Sequence, residues 1–152
     1  MTEARTFYED LGVGDVIRFG SYAVTREEVI EFAGKYDPQP FHLDDEAAAQ
    51  THFGRLAASG WHTAAMTMSM IVALQQAEGH QGLGSPGIDQ LRFIKPVYPG
   101  DTLSCERVVL EKRLSESRPE MGIFRTQITT RNQHGEPVLS YVANAFVRVR
   151  GS

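Results

Sequence analysis

The sequence predicts an α+β fold: one antiparallel sheet wrapped around one long central helix. Three observations predict it. From Trp61 to Leu74 the chain is apolar nearly all round a helical wheel, with Trp61, Ala64, Ala65, Met66, Met68, Met70, Ile71, Val72, Ala73 and Leu74, and such a helix is buried on most sides. Everything after Gly79 reads as strand, in segments that each alternate apolar and polar residues. No helical pattern interrupts those late strands, so the crossover connections of a parallel sheet have no counterpart here. Curling the sheet around the helix buries both apolar surfaces at once.

The length of 152 residues suits a single domain over 1–152. With 41% hydrophobic and 22% charged residues the composition is that of a soluble globular chain. A formal net charge of −4, with no run of Lys and Arg, argues against a nucleic-acid partner; an anionic ligand needs a local basic patch. The one cysteine, Cys105, excludes an internal disulfide and fits a reducing cytosol. Its place in the alternating segment Leu103-Ser104-Cys105-Glu106 reads as a small buried apolar residue rather than a nucleophile. The first ten residues lack the apolar core of a signal peptide. Trp61 to Leu74 is too short to span a bilayer. A cytoplasmic location without membrane contact is therefore expected.

The elements follow in order. Leu11 to Asp15 turns into a short strand over 16–23. Thr25-Arg26-Glu27-Glu28 has the pattern of a capping box, in which Thr25 receives the Glu28 amide and the Glu28 side chain reaches back. The helix it opens is expected to end at Gly34 in the left-handed region. Asp44 is the expected cap of a short helix through Ala49, and Phe53-Gly54-Arg55 breaks it. Ser59 is the expected cap of the long helix, which the polar run Gln75 to Gly79 ends. Strands are expected over 88–94, 102–113, 123–131 and 138–150, with tight turns at Tyr98-Pro99-Gly100-Asp101 and Gln133-His134-Gly135-Glu136.

Between the first helix and the short one lies Tyr36-Asp37-Pro38-Gln39-Pro40-Phe41-His42-Leu43-Asp44-Asp45. Each proline fixes its own φ and pushes the residue before it, Asp37 or Gln39, out of the helical region. A stiff, extended turn of this kind can hold Asp37 and His42 at a set separation. A carboxylate charged at neutral pH beside an imidazole that titrates there forms an acid–base pair. The same residues also fit an ordinary turn whose histidine bonds a loop carbonyl. Gly60, first in a helix capped by Ser59, offers an amide without an internal acceptor, and such amides favour developing negative charge. Equally, Gly60 could only relieve crowding against Trp61.

Other patterns carry less. Gly82-Leu83-Gly84-Ser85-Pro86-Gly87 matches a dinucleotide-binding pattern by letters, but a helix precedes it and a strand follows; the reverse order is needed, so it reads as a loop. His42, His52 and His62 have no zinc-ligand spacing. His80 and His134 are expected to be solvated, and Met66, Met68 and Met70 to fill the core or line an acyl pocket.

Taken together, Asp37-Pro38-Gln39-Pro40-Phe41-His42-Leu43-Asp44, then Ala58-Ser59-Gly60-Trp61, then Arg92-Phe93-Ile94-Lys95-Pro96-Val97-Tyr98-Pro99-Gly100-Asp101 resemble the MaoC-like dehydratases, including the R-specific enoyl-CoA hydratases. The resemblance runs from about Tyr8 to Arg148. It implies a hot-dog fold and the reversible hydration of a trans-2-enoyl-CoA to an (R)-3-hydroxyacyl-CoA. Asp37 and His42 match the catalytic pair and Gly60 the residue whose amide holds the thioester oxygen; no metal or redox cofactor is implied. Gln39 stands where the family has Asn, and Ser59 where many members have His. Trp61 and His62 are bulky and suggest a short or unusual acyl group. Ser59, Trp61 and Gln39 are further substrate-binding candidates, and Arg92, Lys95 and Arg55 are candidates for the CoA phosphates. The resemblance also implies a homodimer. An acyl-CoA thioesterase and a non-catalytic acyl-binding protein remain alternatives on the same fold.

Overall fold

The computed structural model describes residues 5–152; the first four residues of the stretch read above for a signal peptide lie outside it. Five antiparallel strands form one sheet in the order β1-β3-β4-β5-β2: β1 (Val16–Ala23), β2 (Gly87–Phe93), β3 (Thr102–Leu114), β4 (Met121–Arg131) and β5 (Pro137–Arg148). Three α-helices precede β2: α1 (Arg26–Tyr36), α2 (Asp45–Ala49) and α3 (Gly60–Glu78). The long helix α3 lies against the sheet, where Met66, Met70 and Ile71 join Leu103, Cys105, Ile128, Leu139 and Tyr141 in the main core.

Strand β1 needs a local device to do this. Phe19 pairs with Cys105 and Tyr22 with Leu103, so three steps on β1 match two on β3. This bulge lets Phe19 and Tyr22 both pack on the core, although they are an odd number of residues apart. Gly20 sits in it at φ +82°, and a Cβ there would come within 2.6 Å of the Met70 sulfur. Only glycine meets both demands.

Helix α1 departs from expectation at both ends. Thr25 does accept the Glu28 amide at 3.3 Å. The Glu28 carboxylate, however, does not turn back to complete a capping box; Tyr22 and His62 claim it instead. Gly34 does not end the helix, which runs on to Tyr36 with Asp37 as its C-cap at φ −152°. Pro38 is the reason, since it bars the preceding residue from the helical region. Pro40 then opens a single 3-10 turn over Pro40–His42 where an extended segment was expected; a proline is well suited to the first position of such a turn. Asp44 caps α2 through the Ala47 amide, as expected.

Helix α3 extends to Glu78 and closes on Gly79 in the left-handed region. It is not buried on most sides. His62, Thr63, Met66, Thr67, Met70 and Ile71 are buried, but Trp61, Met68 and Val72 are exposed by 59%, 49% and 39%. One sheet has one face to give, and it covers one side of the helix. The segment Gly82 to Pro86 is a loop, tied to β5 through a bridge between Gly82 and Val147, and Gly87 opens β2. His80 is not solvated: its ring packs 5.5 Å from Phe124, and neither ring nitrogen has a hydrogen-bond partner among the described residues. Burial, and then the nearby Arg107, push its pKa below the ordinary histidine value. Burial likewise pushes the Cys105 thiol up, which leaves it unreactive.

Candidate active site

Asp37 and His42 meet because a helix end and a 3-10 turn follow one another directly. Asp37 is placed by the last turn of α1, its amide bonding the Ala33 carbonyl at 2.9 Å. His42 closes the turn begun by Pro40 and is buried, its ring edge-on to Phe41 at 4.6 Å. The His42 Nε2 to Asp37 Oδ2 distance is 3.5 Å. His42 Nδ1 lies 2.7 Å from the Ala57 carbonyl oxygen. A carbonyl only accepts, so Nδ1 carries a proton and Nε2 is the atom left to face Asp37. One ring nitrogen thus bonds a loop carbonyl, as in an ordinary turn, and that bond aims the other at the carboxylate.

The Asp37 carboxylate is gripped by two donors. Gln39 Nε2–H donates to Oδ1 at 2.7 Å, and Ser59 Oγ–H donates to Oδ2 at 2.8 Å. Burial pushes the carboxyl up, but the bonds from Gln39 and Ser59 and the charge on His42 outweigh it, and the group titrates below the ordinary aspartate value. Ser59 is fully buried and also caps α3, its Oγ accepting the Trp61 amide at 3.2 Å. One hydroxyl therefore fastens the tail of α1 to the head of α3.

Gly60 is the first residue of α3. Its amide has no backbone acceptor among the described residues, as expected at a helix start. Crowding at Gly60 comes from Phe93, whose ring would lie 2.6 Å from an added Cβ. Phe93 and Trp61 stand edge-on, 5.7 Å apart. Asp37, Gln39, His42, Gly60, Trp61, Phe93 and Lys95 all line one cleft of about 490 Å³, with Ala58, Thr63, Val97 and Val138 among its other walls. His52, Phe53, Thr63 and Phe93 belong to that lining without having been singled out from sequence; the aromatic cluster Phe41-His52-Phe53 beside the Asp–His turn was the available signal.

The phosphate candidates fare unequally. Lys95 lines the cleft, with its ammonium paired to Glu136. Arg55 stacks 3.8 Å over the Tyr98 ring. Arg92 is exposed on β2 and is not part of the cleft wall, because the neighbouring residue Phe93 takes that side.

A sheet wrapped on one helix, with a carboxylate and an imidazole beside the helix head in one cleft, defines a hot-dog domain with a candidate acid–base site. The profile of the MaoC like domain family matches residues 11–132, and the chain belongs to this family of MaoC-like dehydratases. Among curated proteins it is 33% identical to YdeM of Bacillus subtilis (strain 168) over 128 residues, 82% of this chain and 86% of that one. Among solved structures it is similar to the MaoC-like dehydratase from Rhodospirillum rubrum, with 44% identity, a TM-score of 0.87 and coverage of 97% of this chain and 99% of the other. It is also similar to R-hydratase PhaJ1 from Pseudomonas aeruginosa, with 27% identity, a TM-score of 0.74 and coverage of 95% and 86%.

Proposed function

We propose that this chain is a hydro-lyase for acyl-CoA thioesters that reversibly hydrates a trans-2-enoyl-CoA to an (R)-3-hydroxyacyl-CoA. The observation that carries the reading is the convergence of Asp37, His42 and Gly60 on one cleft. Water is held on the cleft side of the pair, within reach of both the carboxylate and the imidazole, whose facing atoms lie 3.5 Å apart. As its oxygen bonds to the β-carbon, the pair takes one of its protons, with Asp37 Oδ2 the first acceptor. The pair shares that proton, and His42 helps deliver it to the α-carbon. Hydrogen and hydroxyl have then added across the double bond. Negative charge that gathers on the thioester oxygen in between is met by the Gly60 amide, a type of contact worth about 2.7–4 kcal/mol in rate.

Gln39, although longer than the asparagine of the family pattern, supports the reading by bonding the carboxylate directly. The bulk of Trp61 in the cleft lining is the ground for proposing a short or unusual acyl group; activity that rises with acyl length contradicts that part. Lys95 is the proposed contact for a CoA phosphate. A cytoplasmic homodimer is part of the same proposal, supported by exposed Ile88 and Phe93 on the edge strand β2 and exposed Met68 and Val72 on α3. No helix among the described residues is long and apolar enough to cross a membrane.

The test is to incubate a short trans-2-enoyl-CoA with the protein and follow the conjugated double bond and free thiol together. Loss of the double bond without thiol release is expected. Thiol release indicates a thioesterase instead, and neither change indicates a binding protein.

A further inference from the structure

A second polar cluster lies behind the cleft. The Glu28 carboxylate accepts from Tyr22 Oη–H at 2.5 Å and from His62 Nε2–H at 3.0 Å. These three residues come from three elements: Tyr22 from β1, Glu28 from α1 and His62 from the first turns of α3. His62 is buried, and the Phe32 ring of α1 stacks on it at 4.7 Å and 9° between planes. Tyr22 and Glu28 are each in the state the contacts require. The bond to Glu28, then burial, pushes the Tyr22 hydroxyl up to about 12, so it keeps its proton and donates. The bond from Tyr22 holds the Glu28 carboxyl below its ordinary value against the effect of burial, so it stays charged and accepts.

The cluster matters because of where its helix ends. Helix α1 fully buries Val29 and Ala33, with Ile30 packed on the core and Phe32 on His62; these non-directional contacts leave the tilt of the helix to its polar ties. Two polar ties join it to α3, nine residues apart on α1: Glu28 to His62 and Asp37 to Ser59. Both land within four residues of each other at the head of α3, beside Gly60. Two such ties fix how α1 leans on α3, and Asp37 rides on the end of α1. The bulge in β1 serves this arrangement, since it turns Tyr22 toward the core side where Glu28 lies.

We propose that Glu28, braced by Tyr22 and His62, is a positioning residue that sets the Asp37 carboxylate against His42 and the Gly60 amide. This rests on the hydratase reading for its catalytic consequence, although not for its geometric one. A displacement of about 1 Å at a reacting group can cost about 100-fold in rate. Glu28 touches neither the cleft lining nor the Asp37 carboxylate, so its loss should act on turnover rather than on substrate binding.

The experiment compares the wild-type protein with Glu28→Ala, Tyr22→Phe and Arg26→Ala, using trans-but-2-enoyl-CoA and thermal melts followed by circular dichroism. Arg26 pairs with Asp45 at the exposed start of the same helix and serves as the control. Glu28→Ala is expected to lower kcat by about tenfold to 100-fold with KM nearly unchanged, Tyr22→Phe to lower it by less, and Arg26→Ala to leave it alone. Adding Glu28→Ala to Asp37→Asn should cost nothing further, since the group being positioned is already gone. Carbon-13 NMR titration of the Asp37 carboxyl provides a readout independent of chemistry. Removing a negative charge nearby lowers a carboxyl pKa, whereas losing the Ser59 and Gln39 donors raises it. A rise in Glu28→Ala is expected. A fall or no change, or a kcat within twofold of wild type on a hydratase-active protein, overturns the proposal. Loss of kcat with an equal loss in the Asp37→Asn background does so too. A wild-type protein that leaves the double bond intact overturns the hydratase reading, while the titration still decides the geometry.

Discussion

Ser59→Ala tests the joint between fold and site, because one hydroxyl serves both. Two bonds disappear together: the cap to the Trp61 amide at 3.2 Å and the donation to Asp37 Oδ2 at 2.8 Å. An N-cap of this type is worth about 1 kcal/mol, and a hydrogen bond to a charged group about 1.5–3 kcal/mol. Asp37 keeps some contact with water, which places the second contribution at the low end, for a total of about 2–3 kcal/mol. At about 2–4 °C per kcal/mol for a chain of this size, the melting temperature should fall by about 5–10 °C. The catalytic effect has a definite sign. Donors to the charged form hold the Asp37 carboxyl down, so losing Ser59 lets it rise toward the ordinary value. The acid limb of the kcat profile should therefore move to higher pH. Melting curves and hydration rates from pH 4 to 8 suffice, with ~0.5 unit steps to locate the limb. A melting temperature within a degree of wild type, together with an unmoved acid limb, refutes the reasoning.

Asp37→Asn and His42→Asn should each reduce hydration by about 10²–10⁴-fold, the usual range for a general acid–base group, with circular dichroism unchanged. Gly60→Ala puts a Cβ against the Phe93 ring and should cost about tenfold in kcat through displacement at the helix head; Gly60→Ala/Phe93→Leu should recover part of it. Lys95→Ala should raise KM for the CoA thioester while leaving kcat nearly unchanged, as loss of uniform binding does. The depressed pKa of His80 makes its stabilising effect complete above its unfolded value of 6.5 and lost as pH falls below it toward the folded value; the decline in melting temperature below pH 6.5 should be shallower in His80→Phe.

Much of the fold was legible because its signals are local. The turn at Leu11 to Asp15 marked the start of β1 over Val16–Ala23, and Ser59 and Asp44 announced the helices they cap. The break at Asp37 was legible because Pro38 acts on the residue before it, although the 3-10 form of Pro40–His42 was not. What escaped was every feature whose partner lies far along the chain. Thr25 and Glu28 have capping-box spacing, yet nothing near them in sequence says that His62, 34 positions on, will join Tyr22 in taking that carboxylate from the helix start. Ser59 reads as a cap, and its second bond, to a residue 22 positions away, has no local trace. His80 sits in a polar run, but the covering residue is Phe124 of β4. The exposed stripe on α3 shows the same limit, since an all-round apolar helix does not say how much of it one sheet can cover.

The most direct measurement is chiral analysis of the product formed from trans-but-2-enoyl-CoA by the wild-type protein and by Asp37→Asn in parallel. A carboxylate–imidazole pair that holds one water on one side of the cleft must yield a single enantiomer, here (R)-3-hydroxybutanoyl-CoA, and almost none of it from the variant. A racemic or (S) product, or (R) product formed equally fast without the carboxylate, contradicts the account.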